Sequence, residues 1–351
     1  MSCGVRFVSR RMKSKHLSSC GLGFLATVCV LLVYTGVSSN ARSNVVDEYR
    51  QTGIAAYIAE CGTLQTFTVP PHEQQFSYFL PQLQCPDRPW ILALVISSAG
   101  DMQCRSAVRA TWAAPPQVDA NVSEPLRVLH LIADARNATA DNEIMFESYT
   151  QGDVVQGNFA DSYRNLTLKS IMGLHVASSA CPRRPSLVVK IDCDTLLNVE
   201  KLLEFANGER DEDAIYGFLL DKDRPIRRPS SKNYVTRSEY DGDVYPPFIA
   251  GFFYVMTGDV PARLYAEAAS SKRQLLHLED VFVTGLLAER VGVRRRHLAG
   301  VMRRKPATWD EMNSAVAMHS LTPREMTGIH KKKTKLRRQE KRHREHMRDP
   351  K

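Results

Sequence analysis

Short apolar runs separated by polar punctuation organise the middle of the chain. Residues 91–96 are apolar throughout and lie between Pro89-Trp90 and Ser97-Ser98-Ala99-Gly100. That is the pattern of a strand buried on both faces. The runs at 126–133 and 187–191 predict two more buried strands, and 153–156 a shorter one. Between them, 101–112 predicts a helix with Asp101 as its N-cap, and 142–150 and 163–180 predict two further helices. In the last of these, Leu166, Ile171, Leu174 and Val176 mark the inward side. The alternation continues less regularly, with strands at 214–218 and 252–256 and helices at 261–270 and 279–290. Strands alternating with helices imply an α/β fold around a mostly parallel sheet. Ligands of such sheets bind beyond the carboxyl ends of the strands. The strand at 187–191 ends directly on Asp192.

The N-terminus reads differently. Arg6, Arg10, Arg11, Lys13 and Lys15 precede an uncharged run over 17–37. As a helix this run rises roughly 30 Å, enough to cross a bilayer core. The basic flank favours a cytoplasmic N-terminus and an uncleaved anchor. The alternative is a cleaved signal peptide ending near Ser38-Ser39-Asn40-Ala41. The domain scheme is then a cytoplasmic tail 1–16, an anchor 17–37, a polar and Pro-punctuated stem 38–86 with a short helix near 47–60, a lumenal domain 87–330, and a basic tail 331–351. Three N-x-[ST] sequons, at Asn121, Asn137 and Asn165, fit an exporting lumen. Five cysteines lie beyond the anchor: Cys61, Cys85, Cys104, Cys181 and Cys193. Their odd number leaves at least one without a partner in the chain.

Charge refines this picture. Residues 1–16 carry +5 and 331–351 carry +8 of the net +9, so the body between them is −4. A nucleic-acid binder concentrates positive charge on its folded domain, so no nucleic-acid partner is expected. The tail is too charged to build its own core and is expected to be disordered or a solvated helix; a role in holding anionic glycans is the functional alternative. Residues 221–247, rich in Arg, Pro, Ser and Asp, form a polar loop placed to cover the acceptor side of a site.

Two carboxylates one residue apart, Asp192 and Asp194, suit a hard divalent cation, with a nucleotide diphosphate supplying further oxygens. Asp-x-Asp also occurs in ordinary surface turns. Its place after a buried strand is what raises it above that reading.

Five segments resemble, in order, blocks of the β-1,3-glycosyltransferase family that includes the β-1,3-galactosyltransferases, the β-1,3-N-acetylglucosaminyltransferases and the more distant Fringe proteins. They are Arg105-Ser-Ala-Val-Arg-Ala-Thr-Trp112, Phe159-Ala-Asp-Ser-Tyr-Arg-Asn-Leu-Thr-Leu-Lys169, Lys190-Ile-Asp-Cys-Asp-Thr-Leu-Leu-Asn198, Tyr245-Pro-Pro-Phe-Ile-Ala-Gly251 and Glu279-Asp-Val-Phe-Val-Thr-Gly285. The resemblance implies a GT-A fold, a Rossmann-like α/β sheet around a UDP-sugar site, with manganese as the usual metal and a Golgi type II membrane setting. It implies transfer of a hexose, galactose before N-acetylglucosamine or N-acetylgalactosamine, onto a glycan of a glycoprotein, glycolipid or proteoglycan in inverting β-1,3 linkage.

Position by position, the resemblance makes Asp194 the direct metal ligand and Asp192 a contact to nucleotide or metal-bound water. His319 resembles a C-terminal His that completes the metal shell; a structural His is the alternative. Asp280 matches the proposed catalytic base, with Glu279 beside it as a rival. Arg105, Asp161 and Lys190 are donor-site candidates, while Arg109 and Trp112 read equally as packing residues. Three departures stand out. Cys193 replaces the middle Asp of the family triplet, removing one negative charge, and is either an unpaired thiol or a partner of Cys181. The usual Cys after the Glu-Asp-Val block is absent, since Gly285-Leu286-Leu287 follows. Phe252 and Phe253 stand where many members have glycines. Cys193 and these aromatics also motivate a rival class, a non-catalytic lumenal partner or chaperone with a degenerate transferase fold.

Overall fold

The computed structural model describes residues 62–69, 74–87, 89–114, 126–271 and 274–348. The chain divides into two compact units, Met1–Thr63 and Leu64–Lys351. The expected cytoplasmic tail 1–16, anchor 17–37 and short helix near 47–60 lie outside the described residues, as do Cys61 and the sequon at Asn121. Among the described residues no helix is long and apolar enough to cross a membrane.

Nine strands make one sheet. In spatial order they are β1 (Gly62–Val69), β2 (Gln74–Pro81), β5 (Val154–Ala160), β4 (Leu126–Asp134), β3 (Ile91–Ile96), β6 (Leu187–Asp192), β9 (Phe248–Thr257), β8 (Ala214–Leu220) and β10 (Arg294–His297). The neighbours β5, β4, β3 and β6 run parallel, and β10 lies parallel to β8. Two strands oppose this direction: β2 against β5, and β9 between β6 and β8. The mostly parallel α/β sheet expected from the alternation is therefore present, with β9 reversed inside it. β3 explains its own position at the centre. Leu92, Leu94 and Ile96 enter one core cluster while Ile91, Ala93 and Val95 enter the other. Each such side chain contributes about 1.5–3 kcal/mol when fully buried, and both faces must be covered for this to be realised.

Helices supply the cover. On one face, α3 (Leu166–Ser179) and α5 (Val260–Ser270) pack Ile171, Leu174, Leu264 and Ala268. On the other, α1 (Met102–Ala110) and α8 (Pro323–Arg348) pack Cys104, Val108 and Met326. The remaining helices are α2 (Ala138–Gln151), α4 (Val199–Asn207), α6 (Val281–Leu287, wound as a π-helix and running on through Ala288–Arg290) and α7 (Trp309–Ser314). A second, three-stranded sheet, β11 (Val301–Met302), β12 (Ala317–Met318) and β7 (Leu196–Leu197), sits on the C-terminal side of β6.

Several expectations change. Part of the expected stem, 62–69 and 74–81, instead forms β1 and β2 at the sheet edge. Phe67, Val69, Tyr78 and Leu80 point inward at period two, a signal that Pro70-Pro71 and Pro81 obscure. The helix expected at 142–150 starts earlier because Asn137 caps it, its Oδ1 accepting the N–H groups of Thr139 and Ala140 at 3.0 and 3.2 Å. β10 went unread because Arg294-Arg295-Arg296-His297 is charged, as an edge strand tolerates. The segment from Lys331, expected to be disordered or helical, continues α8 as a helix to Arg348.

Two disulfides cross the fold. Cys85 pairs with Cys181, and Cys104 on α1 pairs with Cys193 in the turn after β6. Cys193 is thus neither a free thiol nor the partner of Cys181. Replacing Cys104 and Cys193 together by Ser is expected to lower the unfolding free energy by about 2–4 kcal/mol. The reason is loop closure: the two lie 89 residues apart in sequence. Denaturant midpoints of the oxidised protein and the double variant measure this, and equal midpoints would refute it.

Candidate active site

The Asp192-Cys193-Asp194 turn leaves the carboxyl end of β6 and is fixed from three sides. The Cys193 N–H donates to the Ile96 carbonyl at 3.0 Å, Leu321 N–H donates to the Asp194 carbonyl at 2.9 Å, and Cys193 is bonded to Cys104. The turn cannot swing without disturbing β3, α1 or the C-terminal segment. Asp194 reaches outward and is half-exposed, with its Oδ1 3.2 Å from Nδ1 of His319. The Thr195 hydroxyl is also 3.2 Å from that nitrogen, and the Phe252 ring stacks on the imidazole at 4.7 Å. The structure thus brings Asp194 and His319 together from positions 125 residues apart in the chain.

A second group of charges lies beside this turn. Lys190, buried in β6, donates from Nζ to Asp192 Oδ1 at 2.7 Å and to the Gly251 carbonyl, and lies 3.4 Å from Glu279 Oε2. Burial alone would lower its pKa, but Asp192 and Glu279 raise it above the usual lysine value. Glu279 is itself buried, and its Oε1 accepts the Tyr254 hydroxyl at 2.7 Å. Asp280 is more open. Its Oδ2 accepts the Gly251 N–H at 3.1 Å and its Oδ1 the Val281 N–H at 2.9 Å. Burial, then repulsion from Glu279, push its pKa up to about 6, against the pull of Val281 N–H, Lys190 and Gly251 N–H. Gly251 has to be small here, because a Cβ would stand 3.1 Å from Glu279 Oε2 and 3.3 Å from Asp280 Cβ. Glu279 is held by Tyr254 and Lys190, whereas Asp280, the less buried of the two, accepts the two backbone N–H groups.

Arg105 and Asp161, both expected as donor contacts, carry bonds that hold the scaffold. Arg105 is fully buried, and all five of its N–H groups are taken by Glu147, Ser97, Ser98 and Ala99. No donor of Arg105 is left for a ligand. Asp161 accepts the Ala99 N–H at 2.6 Å and the Lys169 ammonium at 2.9 Å, and Lys169 also donates to the Ser97 carbonyl at 2.8 Å. Arg105, Asp161 and Lys169 therefore fix the Ser97–Gly100 loop at the carboxyl end of β3. Arg109 is a packing residue, ion-paired with Asp153 and Glu147, and Trp112 is buried.

The polar loop 221–247 is fastened to the site's rim. Tyr163 donates its hydroxyl to Asn233 Oδ1 at 2.8 Å, and Arg164 pairs with Glu239 at 2.8 Å. Burial, then the charges of Asp280, Asp192 and Glu279, raise the Tyr163 pKa. Within the loop, Arg227 donates to the carbonyls of Val235, Thr236, Tyr240 and Gly242 and gives it a rigid centre. Sequence reasoning missed Tyr163, Tyr254 and the role of Phe252. Tyr163 and Tyr254 each stand in or beside a quoted block, so their nearness to Asp161 and Gly251 was the available signal.

The α/β sheet gathers carboxylates from the end of β6 and the start of α6 into one polar site, the kind of place where such a sheet binds a ligand. The sequence profile described as Galactosyltransferase matches residues 103–299. The chain belongs to this β-1,3-glycosyltransferase family and is a glycosyltransferase. Its relatives include human beta-1,3-galactosyltransferase 5, 37% identical over 65% of this chain and 74% of that one. Mouse beta-1,3-galactosyltransferase 1 is 29% identical over 76% of this chain and 81% of that one. Among solved structures, mouse xyloside xylosyltransferase 1 in its apo form overlays 67% of this chain and 98% of that one at 11% identity, with a TM-score of 0.35. So low a score bears no weight.

Proposed function

We propose that this chain is an inverting, metal-dependent β-1,3-galactosyltransferase of GT-A architecture. In this reading it moves galactose from UDP-galactose to a glycan hydroxyl, as a type II membrane protein of the Golgi with its catalytic domain in the lumen. Galactose is preferred over N-acetylglucosamine or N-acetylgalactosamine because the two relatives named above carry galactosyltransferase in their names. The observation that carries the reading is the linked cluster Lys190, Asp192, Glu279 and Asp280 beside the Asp194–His319 pair.

The residues fit a manganese ion. Two ligands of one octahedral cation stand about 3 Å apart when each bond is about 2.1 Å, and Asp194 Oδ1 and His319 Nδ1 are 3.2 Å apart. Among the described residues no group of three or more His, Cys, Asp or Glu side chains could hold a metal. Asp194 and His319 would therefore hold the ion with oxygens of the donor diphosphate and water. Charge supports this. Asp192, Asp194, Glu279 and Asp280 outnumber Lys190 and would repel a diphosphate without a divalent cation. When bound, the ion supplies Lewis-acid neutralisation of the departing diphosphate. Asp280 takes the proton of the acceptor hydroxyl as it attacks the anomeric carbon from the face opposite the leaving group. Lys190 and Tyr254 hold Glu279, so that the repulsion keeping Asp280 basic stays in place.

The test offers UDP-galactose, UDP-N-acetylglucosamine and UDP-N-acetylgalactosamine to the full chain with a panel of acceptor glycans, with manganese and with chelator. Galactose transfer in β-1,3 linkage that stops on chelation is expected. Transfer of a different sugar reassigns the donor. Neither transfer nor UDP release with any donor would leave the non-catalytic lumenal partner as the better reading.

A further inference from the structure

The three-stranded sheet sets a row of residues beside the Asp-Cys-Asp turn. Met302 pairs with Met318 across β11 and β12, and Met318 pairs with Leu196 across β12 and β7. One step along this register, Arg303, His319 and Thr195 lie side by side. The contact from Thr195 Oγ1 to His319 Nδ1 at 3.2 Å and the His319 N–H to Met302 carbonyl bond at 3.2 Å confirm the row. His319 thus belongs to the proposed metal site, Thr195 contacts its ring, and the third member is a cation.

Arg303 differs from the basic residues that follow it. Arg304 is neutralised by Glu311 at 2.6 Å and Lys305 by Glu325 at 2.8 Å. Among the described residues no carboxylate pairs with Arg303, which is exposed. Its guanidinium lies over the Phe218 ring, 5.2 Å from the centroid, and His297 meets that ring edge-on at 5.5 Å. Phe218 packs in the same apolar cluster as Phe252, the ring under His319. Arg303 thus lies over one ring of this cluster and His319 over another. A guanidinium held flat by an aromatic ring keeps its N–H edge free for a planar pair of anionic oxygens.

We propose that Arg303 is an anion-binding residue of this site, taking anionic oxygens of a ligand seated at Asp194 and His319, in the first place the phosphates of a nucleoside diphosphate. The inference rests on the UDP-sugar reading above. It adds a residue beside His319 that offsets the negative charge of the leaving group. An acidic sugar on the acceptor would offer the same chemistry, and the experiment separates the two.

Calorimetric titration of the full chain, its Arg303→Ala variant and its Arg303→Lys variant with UDP and with uridine, all with manganese, tests it. Arg303→Ala should bind UDP about ten- to a hundredfold more weakly, with uridine unaffected and Arg303→Lys between. Because Arg303 is exposed, all three proteins should share one thermal midpoint. Equal UDP affinity in the protein and its Arg303→Ala variant overturns the phosphate assignment. If the variant then raises KM only for an acceptor bearing a uronic acid, the anion belongs to the acceptor. If the unsubstituted chain transfers no sugar, inorganic pyrophosphate with manganese becomes the probe. Weakened pyrophosphate binding by Arg303→Ala would keep the anion site while the transferase reading fails, and unchanged binding would remove both.

Discussion

Replacing Asp280 with Asn is expected to lower kcat by about a hundred- to ten-thousandfold while KM for the donor changes little. Asn keeps the shape, and its one carbonyl oxygen can still accept one of the two N–H groups, from Gly251 or Val281, that hold Asp280 now. It cannot take a proton from an acceptor hydroxyl. The loss should therefore fall on the chemical step, measured as initial rates at saturating donor and acceptor. A parallel Glu279→Gln variant separates the two neighbours. It disturbs Lys190 and Tyr254 but leaves a carboxylate at 280, so it should retain an ionising group in the pH profile that Asp280→Asn lacks. A profile of identical shape in the protein and in Asp280→Asn would refute the assignment of the base.

The sign of the pH dependence follows from the shift at Asp280. Its pKa stands at about 6, raised from the usual carboxylate value by burial and by Glu279. A base must be ionised to act, so activity should rise with pH through about 6 and level off above it. Stability runs the other way. The folded state holds the Asp280 proton more tightly than the unfolded state does, so the contribution of this group is fully present below the unfolded pKa of about 4 and is lost as pH rises through the folded value. Asp280→Asn removes that ionisation and the repulsion from Glu279. That relief offsets the one N–H acceptor lost, so the variant should unfold close to the parent protein at neutral pH, which distinguishes a chemical defect from misfolding.

Much of the fold was legible because it rests on local apolar runs. β3 and β6 bury both faces, and their residues read as continuous hydrophobic segments. β1 and β2 were not legible: they alternate inward and outward between prolines, and only pairing with β5 gives the alternation meaning. The site divides along the same line. The places of Asp192, Asp194 and Asp280 follow from motif position, because each stands at the end of a strand or the start of a helix, while the roles given to them are proposals. Arg105 was misread. Its place in a quoted block is as clear as theirs, but its role is set by Glu147, forty-two residues on, and a motif says nothing about a partner so distant. Cys193 was ambiguous for the same reason, since only the packing of α1 against the turn identifies Cys104 as its partner.

Replacing Arg105 with Met is expected to destabilise the protein by about 3–5 kcal/mol, the usual cost of removing one partner from a buried ion pair. Met is close in length and fills most of the space, so the cost is chiefly electrostatic. Glu147 is left buried with Arg109 as its remaining ion-pair partner, at 2.7 Å, the Ala99 carbonyl loses the Arg105 donor, and the Ser98 carbonyl keeps only Asp101 N–H and the Ser97 hydroxyl. Burial alone would raise the Glu147 pKa, but hydrogen bonds from Arg105 and then Arg109 bring it below the ordinary glutamate value. Its contribution to stability is present above the unfolded carboxylate pKa and is lost as pH falls through the folded one. The deficit of the Arg105→Met variant should accordingly be large at neutral pH and narrow in acid. Adding Glu147→Leu to Arg105→Met should recover much of the loss, because replacing both charges removes the unpaired one. Denaturant unfolding of the single and double variants measures this. A contact to the donor predicts the opposite pattern, a raised donor KM in Arg105→Met with an unchanged unfolding midpoint. That outcome would require the arginine to leave a setting in which every one of its N–H groups already has a partner.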